Sequence, residues 1–217
     1  MSLYSISEKV AGYITTEANI KDSQVDSVRY GMEIILGALI KGLVLITTSF
    51  LLGIQVQVII AFICGSLLRL TSGGAHCTSY LRCLGCGLVV YLSIGKSAIY
   101  LEKLQAIDHF PTVLFLCVIM ILCACLWAPG DVPYRPMNQK ESLFFKGLSI
   151  LLIAGWTAIA YLVFNKVNFS FIMSSLLALL VQTFSFSPPG YFIIGKIDSM
   201  LLNFAVRKGG ASINAEN

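Results

Sequence analysis

The chain of 217 residues combines 57% hydrophobic residues with only 12% charged residues, and its mean hydropathy is +0.82. Soluble domains carry about 25% charged residues, so this composition excludes an ordinary water-facing surface. The net charge of +4 is modest and arises from loops and tails, which excludes a basic stripe for nucleic acid. The seven cysteines are scattered and odd in number, unlike a disulfide framework.

The N-terminal arm, residues 1–27, is predicted to form an amphipathic helix that lies on the membrane surface. Charged residues alternate there with apolar ones at near-helical spacing. The apolar positions are Leu3, Ile6, Val10, Tyr13 and Ile14. The arm has no apolar core of the signal-peptide type, so we expect no cleavable signal.

Residues 28–186 contain six long apolar stretches that are predicted to cross the membrane as helices. A span needs about 20 mostly apolar residues, and continuous apolar runs suit helices rather than a barrel. The predicted spans are 31–52, 56–70, 84–97, 110–127, 147–164 and 169–186, of which the second and third are short. The predicted fold class is therefore an all-α polytopic membrane protein, with residues 1–217 forming a single domain.

The C-terminal tail, residues 187–217, is predicted not to span the membrane. It restarts after Pro188 and Pro189 with a stretch that is too short and too polar to cross. We expect this stretch to lie at the membrane interface, and we expect residues 208–217 to be disordered.

The distribution of Lys and Arg predicts a cytoplasmic N-terminus, because cytoplasmic loops hold the excess of positive residues. With this orientation 11 of the 15 lie inside, 3 lie outside and Lys41 falls within the first span. The inside set is Lys9, Lys21, Arg29, Arg69, Arg82, Arg135, Lys140, Lys146, Lys196, Arg207 and Lys208, and the outside set is Lys96, Lys103 and Lys166. The connection between the second and third spans is therefore predicted to face the cytoplasm.

That connection carries the candidate chemistry, since His76 lies seven residues before Cys83. A histidine is the usual base that converts a cysteine to a nucleophilic thiolate. Seven residues of continuous helix would separate the pair by about 10 Å of rise, so His76 must lie outside the helix and fold back. Gly73 and Gly74 supply the freedom for such a turn. Thr78 or Ser79 is then expected to cap the helix that carries Cys83.

Two other interpretations of this segment remain open at the level of the residues alone. Cysteines at span ends are usually small apolar packers, and a lone loop histidine usually has no catalytic role. A metal site built from His76, Cys77, Cys83 and Cys86 is a second alternative, although the spacing matches no zinc module well. Arg82, beside Cys83, and the helix N-terminus would both favour a thiolate.

The segment resembles the AgrB (accessory gene regulator B) family of quorum-sensing membrane peptidases. The family's signature is an Arg, a Gly-rich turn, a His and a Cys seven positions later, and Arg69, Gly73, Gly74, His76 and Cys83 match it. Residues 28–33 resemble the family's R-x-G-M-[QE] stretch, and residues 128–136 resemble its A-P … [KR]-P loop. Cys77 departs from the family, which often has a small residue there, and adds a second thiol.

The resemblance implies a cysteine endopeptidase in the bacterial cell membrane, with His76 as base and Cys83 as nucleophile. Its substrate would be an AgrD-type propeptide, whose C-terminal part is released through a Cys acyl-enzyme thioester. The rest of the propeptide would then cyclise to a thiolactone autoinducing peptide. The resemblance further implies a homodimer in the lipid bilayer, without cofactor or metal.

Two other charged residues are candidates for substrate binding or support. Arg69 would anchor the span end to lipid headgroups, hold the Gly turn, or bind a substrate carboxylate. Glu33 lies inside the first span, where an ionisable residue is a functional candidate, or it pairs with Arg29 four residues earlier.

The rival function class is a non-enzymatic membrane protein such as a small transporter or channel. Such a protein would distribute polar residues through several spans to form a pathway. Apart from Arg69 and Lys96 at span ends, the predicted spans are nearly free of charge except for Glu33 and Lys41, which disfavours this class.

Overall fold

The computed structural model describes residues 3–17, 25–104, 110–130 and 138–213, and over these ranges the chain is helical without strands. The helices in chain order are α1 (Leu3–Glu17), α2 (Val25–Leu51), α3 (Gln55–Ser72), α4 (Tyr80–Lys103), α5 (Phe110–Trp127), α6 (Gln139–Val163), α7 (Phe169–Ser185) and α8 (Pro188–Ile213). The chain divides into two compact units, Met1–Leu51 and Leu52–Asn217.

The first unit is a pair of packed helices, α1 against α2. Polar side chains near the end of α2 bond back to its own backbone, since the hydroxyls of Thr47, Thr48 and Ser49 donate to carbonyls three or four residues earlier. These bonds satisfy the hydroxyls within an otherwise apolar helix. Helix α1, Leu3–Glu17, lies within the predicted N-terminal arm.

Helix α7 lies at the centre of the second unit and packs against α3, α4, α5 and α8. Its buried positions are distributed around the helix and include many small residues, which let neighbouring backbones approach closely. On one side, Met173 and Leu176 pack into a cluster with Met120 of α5 and Ile153 of α6. Because α7 touches four helices, residues at its C-terminal end can reach several chain segments at once.

The outward faces of the helices are apolar, as expected for a protein surrounded by lipid. Phe115, Leu126 and Leu151 each expose more than 60% of their surface. Among the described residues, α3, α4, α5 and α6 are each long and apolar enough to cross a membrane, and α7 with α8 would form a fifth span bent by 87°. The fold class is confirmed as an all-α polytopic membrane protein.

Helices lie at all six predicted places, although their limits differ from the predicted ones. Helix α2 extends over 27 residues, and its described apolar part is Ile35–Leu51. Helix α4 has 24 residues rather than a short span, because the apolar run continues beyond Lys96 through residues 98–101. Helix α8 reaches Ile213, past the predicted onset of disorder at Lys208.

Candidate active site

The connection between α3 and α4 begins with a backbone turn that requires glycine. Helix α3 ends at Ser72, and the N–H of Gly73 donates to the carbonyl of Arg69. Gly73 has φ of 64° and Gly74 has φ of 131°, conformations that side chains rarely permit. The chain therefore leaves the axis of α3 abruptly at this point.

Neighbouring segments press closely against this turn. A Cβ atom at Gly74 would lie 2.5 Å from the Ser185 hydroxyl, and one at Gly73 would lie 3.2 Å from the carbonyl oxygen of Gly130. The N–H of Ala75 donates to the Ser185 carbonyl at 2.9 Å, and the N–H of Gly130 donates to the Ser72 carbonyl at 2.7 Å. The end of α7 and the segment after α5 thus fix the turn from two sides.

Arg69 holds the same turn with its side chain. Its guanidinium donates to the carbonyls of Ala75 at 2.8 Å and Gly74 at 3.4 Å, and to the Gln182 side-chain carbonyl at 3.3 Å. Among the three roles considered for Arg69, these contacts are those of a residue that supports the turn.

Gln182 of α7 completes this network and was not identified from the sequence. Its amide group donates to the Ser72 hydroxyl at 3.0 Å and to the Gly73 carbonyl at 2.7 Å. Only 6% of its surface is exposed, and an unpaired polar group would be unfavourable there. Its side-chain oxygen accepts from Arg69 and its NH2 group donates, so both are hydrogen-bonded. A lone Gln in the apolar stretch 169–186 was the signal that would have identified it.

His76 lies outside both helices, in the loop that follows the turn, and its side chain is exposed. Its Nδ1 atom lies 3.1 Å from the carbonyl oxygen of Cys77. Because a carbonyl only accepts, Nδ1 must carry the hydrogen in this bond, which leaves a lone pair on Nε2 of the neutral ring. The histidine is thus held in the tautomer that a general base at Nε2 requires.

Cys83 lies in the first turn of α4, and its side chain is half-buried. Its N–H donates to the Ser79 carbonyl at 2.9 Å, so this bond is the first of the helix. Ser79 is the N-cap residue but forms no side-chain capping bond, and the predicted capping role of Thr78 or Ser79 was wrong. The N–H groups of Leu81 and Arg82 have no acceptor in the described part of the chain, as is usual for a first turn.

The Thr78 hydroxyl is directed instead to Asp198 of α8. Oδ2 of Asp198 accepts from the Thr78 hydroxyl at 2.7 Å and from the Thr78 N–H at 3.2 Å, while Oδ1 accepts from Arg82 Nε at 2.7 Å. The Thr78 hydroxyl and N–H, with Arg82 Nε, thus satisfy both oxygens of the buried carboxylate. Asp198 also pairs the charge of Arg82, so Arg82 favours a thiolate at Cys83 less than its position in the sequence suggests.

The second thiol of the segment, Cys77, is buried, with 7% of its surface exposed. Its Sγ atom lies 3.9 Å from that of Cys86. Burial, followed by the contact with Cys86 and the nearby Cys83 and Asp198, raises the pKa of Cys77 to about 12. Over the residues the structure describes, no three His, Cys, Asp or Glu side chains converge to hold a metal ion.

Two parts of the sequence hypothesis cannot be placed at this site. Glu33 belongs to α2 in the first unit, and its side chain lies outside the described residues. In the segment after α5, Ala128 is buried in the apolar core and Gly130 bonds to Ser72 at the turn. Asp131, Arg135 and Pro136 lie outside the described residues.

Comparisons with known proteins agree with the motif. The family model for accessory gene regulator B matches residues 7–186. A putative AgrB-like protein of Clostridium perfringens is 22% identical over 90% of this chain and 96% of its own length. The accessory gene regulator protein B of Staphylococcus aureus is 24% identical over 67% of this chain and 75% of its own length. No solved structure matches. With its apolar helices and the match over most of its length, the chain belongs to the accessory gene regulator B family of quorum-sensing membrane proteins.

Proposed function

We propose that the chain is a membrane cysteine endopeptidase that cleaves an AgrD-type signalling propeptide and closes it into a thiolactone ring. The observation that carries this proposal is the state of His76, which is exposed and bonded through Nδ1 to a carbonyl. Its Nε2 is available as a base on the connection that leads, within seven residues, to Cys83 in the first turn of α4.

The environments of the two thiols favour Cys83 over Cys77 as the nucleophile. Cys77 is buried beside Cys86, and its pKa of about 12 opposes ionisation near neutral pH. Cys83 is half-buried at a helix N-terminus, where the helix dipole favours a negative charge.

The reaction would begin when Nε2 of His76 removes the proton from the Cys83 thiol. The thiolate attacks a propeptide carbonyl, and the resulting oxyanion needs N–H donors that are fixed before the reaction. The first-turn N–H groups of Leu81 and Arg82 are donors of this kind, adjacent to Cys83 along the chain. The C–N bond then breaks, the leaving amine takes the proton from His76, and the acyl group remains on Cys83 as a thioester.

Ring closure would follow by transfer of the acyl group to a thiol within the propeptide. The internal thiol gives its proton to His76 and attacks the thioester carbonyl, and Cys83 leaves with that proton restored. One thioester replaces another, so the bond energy is conserved. Hydrolysis would lose it, and the site must therefore keep water from the acyl-enzyme when the propeptide is bound.

The charge distribution supports a cytoplasmic site. Lys103 lies at the end of α4 opposite to Cys83, and Glu102 beside it accepts a bond from Ser170 at the start of α7. Lys103, and Lys166 just before α7, are therefore expected at the end of the bundle away from Cys83, which agrees with their assignment to the outside.

A trapped intermediate tests this function. The substrate is an AgrD-type propeptide with its ring-forming Cys replaced by Ala. Removal of the internal nucleophile leaves the scissile bond intact, so the enzyme should release the C-terminal piece and stall as a covalent adduct on Cys83. The adduct should survive electrophoresis without reductant and be cleaved by hydroxylamine, which attacks thioesters.

Variants of the enzyme complete the trapping experiment. Cys83→Ala should form no adduct, and His76→Ala should form little, since the thiolate is the nucleophile and the base that generates it is missing. Direct hydrolysis to a linear product, without any adduct, would contradict the transfer mechanism and favour a simple protease.

A further inference from the structure

Asp198 is a buried carboxylate on a helix that is otherwise largely exposed. Its neighbours Ile197 and Met200 expose 41% and 64% of their surfaces, whereas Asp198 exposes 7%. It lies on α8, beyond residues 7–186 that match the family model. Burial of a carboxylate is unfavourable unless the group is bonded, so its contacts identify what it does.

All the described contacts of Asp198 go to the start of α4. Both carboxylate oxygens are used, one by the N–H and hydroxyl of Thr78 and the other by Arg82 Nε. Arg82 also donates to the Thr78 hydroxyl at 2.6 Å, which closes a ring of three side chains. Two members of this ring, Thr78 and Arg82, directly precede Ser79 and Cys83 along the chain.

His76 consequently lies between two anchored points. On one side, Ala75 is bonded through its N–H to Ser185 and through its carbonyl to Arg69. On the other side, Thr78 is bonded to Asp198. Only His76 and Cys77 separate these anchors, so the path of the backbone at His76 and the position of the first turn of α4 are set together.

We propose that Asp198 is a positioning residue that fixes the start of α4 so that Cys83 stays within reach of the His76 base. The inference rests on the proposed peptidase function for its chemistry. Asp198 touches neither reacting atom, and it acts through Thr78 and Arg82. If Asp198 only attached α8 to the rest of the fold, its loss would not specifically lower the reactivity of Cys83. As a positioning residue, its loss should lower that reactivity.

The test measures how fast iodoacetamide alkylates Cys83 in the full chain in lipid nanodiscs, with the modified residue located by mass spectrometry. At pH 7 the wild type should react about tenfold faster than His76→Ala, because the thiolate is the form that is alkylated and His76 is the base that generates it. Asp198→Asn, which is nearly isosteric, should react at the rate of His76→Ala. The double variant should be no slower, since the two residues act on one pair.

Two further measurements separate positioning from general loosening of the fold. At pH 10, where thiols ionise without a base, the variants should react within about twofold of the wild type. A loosened fold would instead react faster than wild type at both pH values. Thr78→Val, which loses the hydroxyl, should behave like Asp198→Asn, whereas Thr78→Ser should retain the wild-type rate.

Lys196→Gln is the matched control, because it also removes one charge from α8 and Lys196 is exposed. It should leave the alkylation rate unchanged. In propeptide cleavage, Asp198→Asn should lower kcat about 10- to 100-fold, as expected for a misplaced catalytic pair, with KM within about twofold.

The results distinguish this inference from the proposed function. If Asp198→Asn alkylates like the wild type at pH 7, or if the wild type reacts no faster than His76→Ala, the positioning role is wrong, whether or not the propeptide is cleaved. If Cys83 depends on Asp198 and His76 as described but the wild type never cleaves the propeptide, the proposed function fails and the positioning role remains.

Discussion

The first turns of α4 and α7 are stabilised in chemically similar ways. The start of α7 lies beside the C-terminal end of α4. In each, the N-cap residue, Ser79 or Asn168, forms no side-chain capping bond. In each, a carboxylate from another helix supplies an acceptor instead. Glu102 of α4 accepts from the N–H of Ser170 at 3.1 Å, and Asp198 of α8 accepts from the N–H of Thr78 at 3.2 Å.

The two carboxylates differ in where they bind. Ser170 is the second residue of α7, so Glu102 occupies a donor of the helix itself and interacts favourably with its dipole. Thr78 precedes the N-cap of α4, and the remaining capacity of Asp198 goes to Arg82 and the Thr78 hydroxyl. The first-turn donors beside Cys83 are left open. Under the proposed function, the carboxylate at the start of α7 contributes to stability, whereas the one at the start of α4 leaves first-turn donors available for the reaction.

The largest expected effect separates the two thiols near the start of α4. Cys83→Ser should lower single-turnover propeptide cleavage by at least about 10³-fold, as loss of a nucleophile does, with normal membrane insertion. Cys77→Ser should stay within about threefold of wild type, because the buried Cys77 resists ionisation. The reverse pattern of activities would place the nucleophile at Cys77.

The next effect concerns the turn that precedes α4. Gly74→Ala places a Cβ 2.5 Å from the Ser185 hydroxyl at φ of 131°, which should destabilise the fold by about 1–3 kcal/mol and slow cleavage about 10-fold or more. Gly85→Ala lies in α4, with open space around the added Cβ. This variant should leave the cleavage rate unchanged, and the stability of the fold should be unchanged or higher. Thermal unfolding and cleavage rates measure both; equal behaviour of the two variants would argue against a strained turn.

A smaller effect is expected at the start of α7. Glu102→Gln weakens a charged acceptor at a helix N-terminus, so the free energy of unfolding should fall by about 1 kcal/mol. The cleavage rate of the folded protein should not change, unlike that of Asp198→Asn. Lys103→Gln controls for the change in charge. A loss of kcat in Glu102→Gln as large as in Asp198→Asn would remove the distinction between the two helix starts.

The sequence was informative about the site where the information is local. Gly73 and Gly74 predicted a turn, and the structure gives both positive φ values. The start of α6 was also encoded locally, by a capping box between Asn138 and Glu141, although the apolar pattern alone placed the span start at residue 147. These features depend on residues within four positions of one another.

The sequence by itself determined the helical membrane class, the places of the helices and the His76–Cys83 spacing, because composition and apolar runs report directly on a lipid environment. Only the tertiary structure showed that Gln182 holds the Gly turn and Asp198 holds the start of α4. These partners are 109 and 120 residues away along the chain from Gly73 and Thr78. A single sequence does not specify which distant polar groups meet, since that depends on how α7 and α8 pack back onto the loop.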